Sequence, residues 1–198
     1  FSLLYTAQFG LPFSYVYRGD MNGDGYPALG PAFDRFNDLL YVPNVASEVP
    51  SGFATLALLG AALESDECLA ANKGEILRRN ACRAPWQHHL DLRVTHAIDV
   101  GGSEIRLEAD MINVLNLINS EWGTIQSIRS NVPLLEPTGR TESLSTTPGE
   151  LSSRWAGGQL PARDSEGRLV PPKPWSVLTP DSQWQAQLGV RVTFGGRN

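Results

Sequence analysis

Residues 86–111 read WQHHLDLRVTHAIDVGGSEIRLEADM, and the period of this stretch decides the fold class. From Trp86 to Ile98 the even positions are Trp86, His88, Leu90, Leu92, Val94, His96 and Ile98, against Gln87, His89, Asp91, Arg93, Thr95 and Ala97. From Glu104 the odd positions Ile105, Leu107, Ala109 and Met111 are apolar, with Glu104, Arg106, Glu108 and Asp110 between them. Side chains of a β-strand point alternately to opposite faces, so both segments predict strands with one apolar and one charged face. The intervening DVGGS has the glycines of a short antiparallel turn.

The same design recurs outward. Odd positions from Phe1 to Tyr17 are apolar or aromatic, with Leu4 and Val16 as exceptions on the other face. From Gln183 the even positions Trp184, Ala186, Leu188, Val190, Val192 and Phe194 oppose mostly glutamines, Arg191 and Thr193. Four strands are expected, at about 1–18, 86–99, 103–115 and 183–194, with a turn at 100–102, long connections at 19–85 and 116–182, and a tail at 195–198. Each alternates for about ten residues or more, against the usual five or six, and the connections are long on one side and short on the other. The expected fold is therefore all-β: an antiparallel transmembrane β-barrel segment of four strands with long extracellular loops and a periplasmic turn. Phe13, Tyr15, Tyr17, Trp86 and Trp184 would form an interfacial aromatic belt. A soluble sandwich with one wet face explains the alternation but not the strand length or loop asymmetry.

Bulk properties narrow the classes. The chain has 198 residues, enough for one ordinary domain, and begins inside a strand pattern, as a piece of a longer chain would. A net charge of -5 with scattered arginines argues against a nucleic-acid partner. Phe53 to Leu63 is too short for a membrane helix, which needs about 20 apolar residues. Its helical period predicts a short helix over 50–64 in the first long loop. No nucleophile elbow, phosphate loop or CxxC pattern is present, so no enzyme is expected.

The phrase RNACRAPWQHHLDLR at 79–93, EADMINVLNLINSEWG at 108–123, and DMNGDG at 20–25 followed by NDLLYVP resemble the C-terminal end of TonB-dependent outer-membrane receptors, in particular the Oar-like group with a carboxypeptidase-regulatory-like domain. Gln187, Gly189, Val192 and Phe194 resemble the barrel-assembly signal of such proteins. The resemblance implies a place in the bacterial outer membrane, with lipid and the barrel-assembly machinery as partners. It also implies energised uptake of a small-molecule or peptide substrate through a plug and a TonB-contacting segment that this chain does not contain. A different class is an outer-membrane adhesion or structural protein with calcium-stabilised loops, and a third is a soluble calcium-binding β-domain.

Three local sites stand out. Asp20, Asn22 and Asp24 place oxygen donors at positions 1, 3 and 5 of an EF-hand-type loop. Tyr26 could add its carbonyl and Asp38 a carboxylate, making calcium a structural staple; an Asx-rich turn is the competing reading. Cys68 and Cys82 enclose about 15 residues, a loop whose closure by a disulfide is worth roughly 3 kcal/mol; two free thiols are the alternative. His88, His89 and His96 are expected to be wall residues, and Glu108 and Asp110 to pair with Arg93 and Arg106 across the hairpin.

Overall fold

A computed structural model describes residues 1–19, 21, 36–49, 53–137, 153–155, 162–163, 166–167, 169–170 and 174–195. In chain order the elements are β1 (Ser2–Gln8), β2 (Pro12–Tyr17), a 3-10 turn (Ala46–Glu48), α1 (Phe53–Ser65), α2 (Glu67–Ala71), β3 (Cys82–Arg83), β4 (Gln87–Val100) and β5 (Ser103–Ile112). They continue with α3 (Val114–Ile118), β6 (Gln126–Ile128), β7 (Asn131–Pro137), β8 (Ser153–Trp155), β9 (Ala162–Arg163), β10 (Leu169–Val170), β11 (Trp175–Val177), α4 (Thr179–Ser182) and β12 (Gln185–Phe194). The chain is mostly β-sheet with few helices, and no described helix is long and apolar enough to cross a membrane.

Two compact units divide it, where the sequence predicts one. The first comprises Phe1–Gly10, Pro85–Ser127 and Ser176–Asn198. Its sheet has the order β1-β4-β5-β12, antiparallel throughout. Val100 pairs with Ser103 across Gly101 (φ 56°) and Gly102 (φ 83°). A two-residue hairpin with both residues left-handed matches the strand twist and penalises any Cβ there, which is why two glycines stand at this point. Strand direction then sends both long connections, β1 to β4 and β5 to β12, from the end of the sheet opposite this turn. The sheet is open: β1 and β12 do not pair with each other.

The second unit comprises Leu11–Ala84 and Ile128–Trp175. Its main sheet runs β3-β2-β7-β8, with β2 parallel to β7 and a register shift between Val16 and Tyr17. Phe13, Tyr15 and Tyr17 pack with Leu40, Val42, Leu59, Leu63, Leu69, Leu77, Leu134 and Leu135 into a buried core to which α1 and α2 contribute.

The structure corrects several sequence boundaries. The strand predicted at 1–18 is two strands, β1 in the first unit and β2 in the second. Alternation keeps its phase across the break, so periodicity alone cannot locate it. In β2 the even residues Ser14 and Val16 are as buried as the odd ones, with Ser14 Oγ accepting from Asn80 N at 2.7 Å. The buried Ser14 hydroxyl is thus satisfied by a backbone N–H rather than marking a wet face. Phe13, Tyr15 and Tyr17 are consequently core residues and form no exposed belt. The strand predicted to reach 115 ends at Ile112, because Asn113 takes left-handed backbone (φ 56°) and starts α3. The segments 19–85 and 116–182 are expected as loops; their described residues instead supply most of the second unit and the α3 to α4 region of the first. The helix predicted over 50–64 is α1, beginning at Phe53 and followed by α2.

Candidate functional site

The register of the first sheet sorts its side chains into two unlike faces. Leu3, Leu92, Met111 and Ala186 form one cross-strand row, and Val94, Ala109 and Leu188 the next. His96, Leu107 and Val190 follow, then Ile98, Ile105 and Val192. This face is apolar and uncovered: Leu188 is 84% exposed, Val190 69% and Phe194 82%. Among the described residues, every buried hydrophobic side chain belongs to the second unit, while the first buries Gln87, Asn113 and Ser182. The first unit is built inside out relative to a protein folded against water.

The opposite face carries charge. Arg93 grips Asp110 with two hydrogen bonds, Nε to Oδ1 at 2.5 Å and Nη2 to Oδ2 at 2.9 Å, directly across β4 and β5. Arg106 bonds Glu104 on its own strand at 2.8 Å rather than Glu108, and lies opposite Arg191 of β12. Like charges in register repel, and here the Glu104 carboxylate and the partial exposure of Arg106 offset that repulsion.

Aromatic rings collect where the long connections leave. Phe9 and Trp86 sit 3.9 Å apart between centroids, His88 stacks 6.2 Å from Trp86, and Tyr5 lies 6.1 Å beyond with its hydroxyl 2.8 Å from His88 Nδ1. Trp86 and Trp184 are half-exposed there. His88 and His96 fall on the apolar face and His89, opposite Thr6, on the polar one. No metal cluster forms: among the described residues no three His, Cys, Asp or Glu side chains converge.

A polar clamp closes the end of this unit. Asn113 donates from Nδ2 to the carbonyls of Gly123 at 2.8 Å and Ser182 at 2.6 Å, and its own N–H donates to Asp91 Oδ1 at 2.9 Å. Gly123 has φ 63°, and a Cβ there would collide with Asn113 Oδ1. Sequence reasoning missed this clamp; the available signal was an asparagine ending a strict alternation.

In the second unit Cys68 and Cys82 are joined, with an S–S length of 1.99 Å, the pairing their spacing favours. The bond fastens α2 to β3, which is paired to β2 through Phe13 and Cys82. Asp66 caps α2, accepting from Leu69 N at 3.0 Å, and accepts from the Tyr15 hydroxyl at 2.6 Å. Burial, with the Asp66 carboxylate beside it, pushes the Tyr15 hydroxyl far above its ordinary range. Burial also pushes the Tyr17 hydroxyl up to about 12.

Of the candidate calcium ligands, Asp20, Asn22, Asp24 and Tyr26 lie outside the described residues. Asp38 is buried and its carboxylate accepts from the backbone N–H of Met21, the residue between Asp20 and Asn22. Asp38 is thus adjacent to the stretch whose ligands it was expected to complete. Gln187, Gly189, Val192 and Phe194 all lie on β12, paired with Asp110, Glu108, Ile105 and Ser103. No protein family, curated protein or solved structure matches this chain.

Proposed function

We propose that the first unit is a segment of an outer-membrane β-barrel wall of the TonB-dependent receptor class, and that the whole protein takes up a small-molecule or peptide substrate. The observation that carries the reading is the inversion of burial: an apolar face left half to largely exposed above a charged one, in a unit that among the described residues buries only polar side chains apart from glycine. In water such a face is an aggregation surface, whereas in hydrocarbon it is the low-energy arrangement.

Dimensions support it. β5 and β12 have 10 residues each, which at about 3.3 Å per residue and a tilt of about 40° span about 25 Å, the height of an outer-membrane apolar band. A four-stranded sheet cannot close, so β1 and β12 require further strands at their outer edges. The charged face would line the lumen, the long connections would emerge on the external side, and the Gly101–Gly102 turn would lie in the periplasm. Calcium held by Asp20, Asn22, Asp24, Tyr26 and Asp38 would brace the first external segment, with no catalytic part.

Detergent dependence tests the wall. The chain should need detergent or lipid to stay monodisperse and should float with liposomes in a density gradient; a monodisperse sample in plain buffer sinks the reading. For the ion, calorimetric titration of calcium should lose its heat in the Asp20→Ala, Asp24→Ala variant. A second reading, a barrel that anchors an adhesion module, draws support from the disulfide-stapled core of the second unit. Uptake of solute into cells that express the full gene separates the two.

A further inference from the structure

We infer that the cleft between α3 and the α4–β12 junction is a binding site for a neutral oligosaccharide free in solution. The cleft lies within the first unit, has a volume of about 530 Å3, and its lining includes Ser120, Thr124, Thr179 and Gln183, with Val177 and Trp184 as its apolar surface. This volume is in the usual range of small-molecule sites, roughly 300–1,000 Å3. None of its lining residues carries a charge.

The cleft is held open by bonds that do not involve a ligand. Asn116 donates from Nδ2 to the carbonyls of Ser120 at 2.9 Å and Trp122 at 3.0 Å. Ser182 Oγ accepts from Ile125 N at 2.9 Å and donates to the Leu178 carbonyl at 2.7 Å, while Leu178 N donates to the Ile125 carbonyl at 2.9 Å. Asn113 ties both walls together through Gly123 and Ser182. Those groups are spent on the frame. Among the described residues, the side chains of Ser120, Thr124, Thr179 and Gln183 are left without partners.

Ligand class follows from what remains. Hydroxyls and a primary amide both donate and accept, so together they match a ligand dense in groups that do the same. The indole of Trp184, 46% exposed, adds a flat apolar surface with one donor at its edge. Sugars combine those two characters, hydroxyls around the ring and C–H groups across its face. An anion or cation would be desolvated without an opposite charge, and an alkyl chain would leave the hydroxyls unpaired. The inference stands on this lining and does not require the apolar sheet face to meet lipid.

The test is calorimetric titration of the full chain in a polyoxyethylene detergent, which has no sugar headgroup, with maltotetraose, chitotetraose and tetragalacturonate. At least one neutral tetrasaccharide should bind, with affinity lowered about tenfold or more in Gln183→Ala and Trp184→Ala, and tetragalacturonate should bind about tenfold more weakly than the better neutral ligand. Should Trp184→Ala fail to fold, Thr124→Val keeps the volume, removes one hydroxyl and should weaken binding about fivefold. The inference is overturned if neither neutral tetrasaccharide binds at millimolar concentration, if the folded variants bind as tightly as the parent, or if tetragalacturonate binds equally well.

Discussion

The two units of this chain solve opposite problems with the same strand pattern. In the second, Phe13, Tyr15 and Tyr17 of β2 are covered on all sides by helices and a parallel neighbour. In the first, Val94, Leu188 and Val190 repeat that alternation and remain exposed among the described residues. What the pair teaches is that alternation reports a two-faced strand but not its solvent. The solvent is read from what each unit buries: apolar side chains in one, Gln87, Asn113 and Ser182 in the other.

The comparison breaks most sharply at the middle of the exposed face. Leu188→Arg should destabilise the first unit by about 2–4 kcal/mol in a bilayer, while Thr95→Arg, one position along in register on the charged face, should change little. Urea titration of the chain folded into liposomes measures both. If Leu188→Arg proves neutral and improves solubility without lipid, the face belongs to water. A step below comes the staple of the second unit. Replacing Cys68 and Cys82 with serine opens a loop with a sequence separation of 14, which should cost about 3 kcal/mol and lower the melting of the second unit alone. Thermal scans with proteolysis at each temperature separate the two melting events.

The polar clamp should rank third. Asn113→Ala leaves the Gly123 and Ser182 carbonyls without their donor and should cost about 1–3 kcal/mol, sharpening the claim that the first unit is held by polar burial. Gly123→Ala should cost a similar amount, about 1–3 kcal/mol, through left-handed backbone and collision with Asn113. Hydrogen exchange of the amides of α3 and α4 reads either change locally.

How far the fold was legible follows from which interactions are local. The alternation of β4, β5 and β12, the Gly101–Gly102 turn, the position of α1 and the spacing of the cysteines are properties of neighbouring residues, and each is visible in order along the chain. The exit of β2 from the first sheet is not, because Phe9 to Leu11 keep the period while the chain changes partners. Nor is the parallel pairing of Ser14 with Asn131, which joins segments more than a hundred residues apart and leaves no local trace. The charge pairing was half legible: Arg93 met Asp110 across the hairpin, whereas Arg106 turned to Glu104, since opposite-sign neighbours at two spacings compete on one face. Asn113 was illegible as a clamp because its partners are backbone carbonyls, which carry no sequence signature.

Alkaline titration provides the most selective probe of the difference. Tyr15 and Tyr17 are buried hydroxyls of the second unit with pKa values raised by that burial, Tyr17 to about 12 and Tyr15 further. A tyrosine in the unfolded chain releases its proton near pH 10. Below that pH both states hold the proton and the hydroxyls leave stability unchanged with pH. Above it the unfolded state has lost protons that the folded state keeps, so stability falls as pH rises, by about 1.4 kcal/mol per pH unit for each tyrosine, until each folded hydroxyl titrates. The second unit should therefore lose stability progressively from pH 10 to 12 while the clamp around Asn113, which has no ionisable partner but Asp91, holds. Tyr15→Phe removes the bond to Asp66, lowering stability at neutral pH by about 1 kcal/mol, and halves the alkaline slope. Denaturant midpoints at pH 8, 10 and 11, followed separately by the two units' protease fragments, measure that slope. A slope that Tyr15→Phe leaves unchanged would mean that some other group governs the alkaline loss.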